Sequence, residues 1–280
     1  MENSTIFSYE RWLPQTPELK QKFLAARPFP HLVFEDFLQA DAAEQLLKEF
    51  PGAAQAAWNY YANYNTKKLG INNPDHFGAV TKSIFRQLHS EAFLGFLGAL
   101  TGIEGLFPDE KFEGGGLHQI ERGGYLNIHA DFTVHPHRRD WKRRLNIIIY
   151  LNKNWKDEYG GQLQLWDTSM RQCVVSVAPH FNRAVLFMTN ADAYHGHPDP
   201  LMCPEGESRK SLALYYYTEE RAPEIRSTNF RARPEDSAAK AAGIYIDKKL
   251  ARAYDTVKRA FSLDDRFVSK FLRFFYRRKK

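Results

Sequence analysis

Short apolar runs separated by turn residues fill the middle of the chain, whereas the first hundred residues carry the three-to-four-residue spacing of amphipathic helices. Leu145-Asn-Ile-Ile-Ile-Tyr150-Leu-Asn152 is a β-branched run of strand length, with a turn predicted over 152–155. Gly160-Gly161 then precedes an alternating segment over 162–166, and further runs follow at 174–177, closed by Pro179, and at 184–187. Residues 208–217 read as another strand, with Arg209, Ser211, Ala213, Tyr215 and Tyr217 on one face. Short strands with little helix between them predict an all-β sandwich or barrel as the core. Upstream, Asp41 with Glu44 predicts a capping box opening a helix that carries Ala43, Leu46, Leu47 and Phe50. Ser90 is expected to cap a second helix with Phe93, Leu94, Leu97 and Leu100 on one stripe, and both stripes are read as faces bracing the barrel. Between these helices the aromatic and amide-rich stretch 58–68 lacks clear periodicity. It reads either as a packed surface loop or as a lid that touches substrate.

This pattern gives meaning to His129-Ala-Asp131. On a strand His129 and Asp131 share a face while Ala130 points away, so one ion can reach both. His195, 64 residues beyond Asp131, supplies a third ligand from a distant strand. Two imidazoles and one carboxylate leave about half of an octahedron open, the facial arrangement used by non-haem Fe(II) oxygenases. His197 lies two residues on, and a strand would turn both histidines the same way, so the residues alone offer two candidates; with His195 as ligand, His197 reads as an imidazole that supports the site or sits at the surface. His135, His137 and His180 have no partner at useful spacing and are read as loop residues. Arg209 and Ser211 together offer a guanidinium fork and a hydroxyl, a pairing suited to a carboxylate.

The strings Gly123-Gly124-Tyr125 leading to His129-Ala-Asp131, Ile149-Tyr150-Leu-Asn-Lys-Asn-Trp155, Gly160-Gly161-Gln-Leu, Pro179-His-Phe-Asn182-Arg183, Tyr194-His195-Gly-His197-Pro198 and Arg209-Lys-Ser211-Leu-Ala-Leu-Tyr-Tyr occur in order across about 115–218. Together they resemble the prolyl 4-hydroxylase-like branch of the 2-oxoglutarate- and Fe(II)-dependent dioxygenases. The segment from Arg27 to Leu38 also looks like the entry to bacterial members. The resemblance implies an α+β fold with a mainly β core: a double-stranded β-helix (jelly roll, cupin-like) braced by N-terminal helices. It implies that His129, Asp131 and His195 bind Fe(II), and that Arg209, with Tyr150 and Ser211, holds the distal carboxylate of 2-oxoglutarate. The implied reaction consumes O2, with ascorbate as reductant, releases succinate and CO2, and hydroxylates a C–H bond, with a prolyl residue of a peptide or protein as the expected substrate. A small molecule such as a free amino acid or natural product stays open as alternative. So do a non-catalytic jelly-roll binding module, which would need neither the full ligand set nor Arg209, and a zinc hydrolase, which gives no reason for Arg209 or Tyr150.

Length and composition add limits. The 280 residues, 43% of them hydrophobic, suffice for one substantial core. The expected division is a helical and strand support over 1–110, the catalytic core over 111–220 and a basic helical extension over 221–280. Two cysteines, Cys173 and Cys203, are too few for a disulfide framework, and the opening residues carry no signal-peptide pattern, so a cytoplasmic location is expected. The net charge of +6 is concentrated at the end. Residues 266–280 hold Arg266, Lys270, Arg273, Arg277, Arg278, Lys279 and Lys280 without an acid, and Phe267, Phe271 and Phe274 fall at helical spacing. That segment is read as a helix docked on the domain, with an anionic membrane surface or an acidic partner as alternatives. No nucleic-acid partner is expected. The cluster Arg138, Arg139, Lys142, Arg143 and Arg144 near the metal motif is read as serving substrate steering or as a solvated loop.

Overall fold

The computed structural model describes residues 6–55 and 57–261, and side chains through residue 250. The basic segment 266–280 lies outside the described residues. Within them, one sheet holds thirteen strands: β1 (His31–Phe34), β2 (Asn59–Ala62), β3 (Thr66–Ile71), β4 (Phe107–Pro108), β5 (Gly116–Glu121), β6 (Tyr125–Ala130), β7 (Trp141–Tyr150), β8 (Leu163–Trp166), β9 (Cys173–Val177), β10 (Ala184–Met188), β11 (His195–His197), β12 (Ser208–Glu219) and β13 (Asn229–Phe230). Six α-helices accompany them: α1 (Tyr9–Trp12), α2 (Thr16–Ala25), α3 (Ala40–Glu49), α4 (Ala79–Leu88), α5 (Glu91–Thr101) and α6 (Ala238–Phe261). The antiparallel path β1-β10-β7-β12-β5-β3-β6-β11-β8-β9 bends round into a nearly closed, jelly-roll-like barrel.

The apolar run in β7 has no polar alternation because both faces of the strand are covered. Leu145, Ile147 and Ile149 join a core made with the helices, alongside Leu212, Leu214 and Tyr216 of β12 and Phe93, Phe96 and Leu97 of α5. The opposite face sends Tyr150 into a second cluster inside the barrel, with Leu163, Leu165, Val185 and Phe187. Tyr216 also donates its hydroxyl to the Leu88 carbonyl at 2.9 Å, tying β12 to the end of α4. One face of each central strand is thus spent on the helices. The other lines the barrel interior.

Three expectations are modified. Residues 58–68 form the β2–β3 hairpin, whose alternation was masked because Tyr and Lys occupy both of its faces. α3 begins without the Asp41 capping box: Gln39 is the N-cap and makes no side-chain cap bond, while Glu44 pairs with Lys153. Tertiary anchors set that start, since the Leu38 N–H donates to Asn182 and the Gln39 N–H to the Ile6 carbonyl. β7 starts at Trp141, four residues before the apolar run, because its basic residues pair with β12. The register of β7 against β12 also shifts, with Tyr216 opposite Leu145 and Tyr217 opposite Arg143, so that Arg144 is the extra residue on β7. Ser90 does cap α5, accepting from the Phe93 N–H at 3.3 Å. No helix among the described residues is long and apolar enough to cross a membrane.

Candidate active site

β6 and β11 are neighbours, and their register sets His195 directly opposite His129. The strands can approach this closely because residue 196 is glycine: a Cβ there would lie 2.8 Å from the Leu126 carbonyl oxygen and 2.9 Å from that of Asn127. Asp131 follows at the end of β6. One ligand atom from each of His129, Asp131 and His195 lies within 4.8 Å of the others, the separation needed to share one ion. His129 and His195 are buried, and their Nε2 atoms stand 3.6 and 3.5 Å from the Asp131 carboxylate.

The remaining atoms of the triad are held by the fold. Nδ1 of His129 is 2.9 Å from the Asn127 carbonyl, and Nδ1 of His195 is 2.9 Å from that of Ala193. A carbonyl only accepts, so each Nδ1 carries the proton and each Nε2 keeps a lone pair for a metal. Asp131 Oδ2 accepts from Asn146 Nδ2 at 2.8 Å and lies 3.1 Å from the Arg143 guanidinium. Burial by itself would raise the Asp131 pKa. Arg143, followed by His195 and His129, outweighs it and holds the carboxyl well below the usual range. Arg143 is in turn sandwiched, 3.4 Å above the Tyr215 ring and 4.6 Å from that of Phe132. Two imidazoles, one ionised carboxylate and lone pairs aimed inward suit a divalent cation that accepts nitrogen and oxygen ligands.

A cavity of about 250 Å³ opens from the triad to Arg209. Arg209 is 4% exposed; its Nε donates to the Gly161 carbonyl at 2.8 Å and its Nη2 to the Tyr150 hydroxyl at 3.2 Å. Burial raises the Tyr150 pKa against the pull of Arg209, so the phenol stays protonated. Because its oxygen accepts from the guanidinium, its own proton is available to an anion. Ser211 pairs in register with Tyr150 and lines the same cavity. The structure therefore gathers five of the six residues singled out from the sequence around one cavity, with Tyr150 joined to them through Arg209.

It adds others, two of them, Tyr61 and Lys68, from the stretch 58–68 that reads as a loop or a lid and the rest without a signal in the sequence. Lys68 of β3 lines the cavity, half-buried, and burial pulls its pKa down to about 8, against the opposing charge of Asp131. His118 of β5 lines it too. Phe230 of β13 sets its ring 5.2 Å from that of His129, and Tyr61 stands opposite Lys68 across the β2–β3 hairpin. None of these lies in a recognisable motif, and only the folded register brings them to the site. Of the basic cluster, Arg143 is the one that reaches the triad, while Lys142 and Arg144 pair with Glu220 and Arg138 with Asp140. His135 and His137 have partners after all, Asp109 at 3.4 Å and Glu113 at 3.8 Å, from the segment before β5. His197 is buried and lines the cavity, which excludes the surface alternative.

Residues 115–217 match the 2OG-Fe(II) oxygenase superfamily. They are an oxygenase domain of that family. Its boundaries contain the whole triad, Tyr150, Arg209 and Ser211. The oxygenase domain and its flanks are 27% identical over 221 residues to the mouse (Mus musculus) prolyl 3-hydroxylase OGFOD1, covering 74% of this chain and 36% of that protein. The chain thus spans about a third of the length of that relative. Among solved structures, a prolyl 4-hydroxylase from Phytophthora capsici is similar at a TM-score of 0.50 and 18% identity, over 93% of this chain and 80% of that one. A Trichoplax adhaerens prolyl hydroxylase, solved with a hypoxia inducible factor peptide, is similar at 0.47 and 18%, over 76% and 94%. The family implies Fe(II), 2-oxoglutarate and O2 for the oxygenase domain.

Proposed function

We propose that this protein is a 2-oxoglutarate- and Fe(II)-dependent hydroxylase of a C–H bond, acting on a prolyl residue in a peptide or protein with release of succinate and CO2. The observation that carries the reading is one cavity with a buried His129/Asp131/His195 triad at one end and a buried, carboxylate-ready Arg209 with Tyr150 at the other.

His129 Nε2, His195 Nε2 and Asp131 would hold the metal, and Arg209, Tyr150 and Ser211 the distal carboxylate of the co-substrate. Bound there, the iron supplies activation of O2 coupled to oxidation of the 2-oxo acid. The protein's own part is to bind, orient and exclude. The Asn127 and Ala193 carbonyls fix the two imidazoles in the ligating tautomer, and Arg143 with Asn146 keeps Asp131 ionised and immobile. Arg209 is pre-aimed by Gly161 and Tyr150, so little side-chain order is lost when it meets a planar carboxylate. Phe230 and the hairpin residue Tyr61 line the cavity and limit water near the triad.

The preference for a residue of a peptide or protein is supported by the size of the cavity. At about 250 Å³ it lies just below the usual range of ligand pockets, about 300 to 1,000 Å³. That volume suits a dicarboxylate plus one inserted side chain better than a whole natural product. The name of the mouse relative agrees with a prolyl substrate.

The test is succinate production with Fe(II), O2 and ascorbate against prolyl peptides, free proline and cell extract, with mass spectrometry for a gain of one oxygen. Oxidation of a prolyl peptide supports the reading. Oxidation of free proline alone moves the substrate to a small molecule, and the absence of any 2-oxoglutarate turnover removes the enzymatic reading.

A further inference from the structure

His197 lies at the end of β11, two residues beyond His195, and is 4% exposed. Neither ring nitrogen has a hydrogen-bond partner among the described residues. Buried polar groups are nearly always partnered, so an imidazole left unmet at both ends marks a place where a ligand completes the bonding. His197 lines the same cavity as Arg209. The side chains that act on it electrostatically are Arg209 first, then Lys68, His129 and His118. The first two, Arg209 and Lys68, can only donate, so what the imidazole N–H lacks is a hydrogen-bond acceptor, and an anion suits their company best.

A metal does not explain this residue. His129, Asp131 and His195 form the group with metal-ligand spacing among the described residues, and His197 is not part of it. The register of β11 against β6 shifts between His195 and His197, with His197 opposite Leu126 rather than beside the His129 pair. That displacement moves the imidazole along the strand, away from the triad's own rung of the ladder.

We propose that His197 is a further co-substrate-binding residue of this chain, donating a hydrogen bond to the distal carboxylate of 2-oxoglutarate that Arg209 pairs with. The proposal rests on the co-substrate reading of the cavity given above. It makes the carboxylate cradle a guanidinium, a phenol and an imidazole drawn from three strands, β12, β7 and β11, so that the strand supplying a metal ligand also reads the co-substrate.

The test uses the full chain with Mn(II) under anaerobic conditions, titrated with 2-oxoglutarate and, separately, with pyruvate, a 2-oxo acid that has no distal carboxylate. Mn(II) affinity without any 2-oxo acid is measured alongside. A lost hydrogen bond to a charged acceptor predicts that His197→Ala weakens 2-oxoglutarate binding about 10- to 100-fold while leaving pyruvate and Mn(II) affinities within about 3-fold. His197→Gln, which keeps an N–H at similar reach, recovers part of the loss, and it carries the test if the alanine variant fails to fold. Equal losses for both 2-oxo acids would place His197 at the metal end and overturn the proposal, as would a fall in Mn(II) affinity or an unchanged 2-oxoglutarate affinity. Wild-type protein that binds Mn(II) but not 2-oxoglutarate would instead overturn the co-substrate reading beneath it.

Discussion

Gly161 offers the sharpest perturbation of the co-substrate end, because it touches Arg209 twice without being a charged residue itself. Its carbonyl accepts from Arg209 Nε at 2.8 Å, and its φ of +77° lies where a Cβ is strained. A methyl group added there would sit 2.9 Å from Arg209 Cδ and 2.7 Å from Leu201 Cδ2, both in fully buried side chains. The backbone strain costs about 1–2 kcal/mol for Gly161→Ala, and forcing a methyl group into packed surroundings adds about 1–3 kcal/mol. Gly206 is the matched control: its φ is +86°, but a Cβ there meets nothing within 4 Å. Gly206→Ala should therefore carry the strain alone, about 1–2 kcal/mol. In a chain of this size each kcal/mol lowers Tm by about 2–4 °C, so the two variants separate in a thermal melt. Pushing the guanidinium off its aim should also weaken a charge-assisted bond worth about 1.5–3 kcal/mol, lowering 2-oxoglutarate affinity about 10- to 100-fold in an anaerobic titration. Gly206→Ala should leave that affinity unchanged. If Gly161→Ala binds 2-oxoglutarate like wild type, or loses no more stability than Gly206→Ala, then Arg209 is not held as described.

Asp131→Ala should abolish 2-oxoglutarate turnover and weaken Mn(II) binding by orders of magnitude while the chain stays folded; calorimetric metal binding close to wild type would move the metal centre elsewhere. Tyr150→Phe should lower 2-oxoglutarate affinity about 10-fold through loss of one hydrogen bond, with metal affinity unchanged in the same titration. His89, stacked on Phe112, has its pKa lowered by burial to about 4 from an ordinary 6.5. Between those values the unfolded chain binds the proton and the folded chain does not, so stability is lost as pH falls through that window, by at most about 3 kcal/mol. His89→Phe should flatten that part of the slope, and urea melts at pH 7.5 and 5 giving the same pH dependence as wild type would contradict it.

How legible the site was depended on how locally each residue is encoded. His129 and Asp131 are two apart on one strand, and the alternation of a strand is enough to predict that they converge. Arg209 and Ser211 follow the same rule on β12. Placing His195 beside them required the family resemblance, since nothing in its own neighbourhood specifies a partner 66 residues away. Lys68 was legible only as part of the stretch 58–68, and His118 and Phe230 escaped altogether. Each belongs to a different strand, and only the pairing of β3 with β5 and β6, and of β13 with β6, brings them together. The hairpin at 59–71 was missed for a related reason: its Tyr and Lys residues face both the cavity and the exterior, which erases the apolar/polar contrast from which strands are read. The anchors that shift the start of α3 are a tertiary effect overriding local preference.

The placement of His129 opposite His195 has a consequence for how the barrel opens. Two ligands facing each other on one rung of the ladder turn the ion into a cross-link between chain positions that must first find each other across 66 residues. An ion at 100 times its Kd would favour the closed ladder over the opened one by about 2.7 kcal/mol. β11 has only three residues and its register against β6 is interrupted, so this seam is short. Metal occupancy then governs how often that seam breathes, and amide exchange along β6 and β11 becomes a direct reading of the ion's residence.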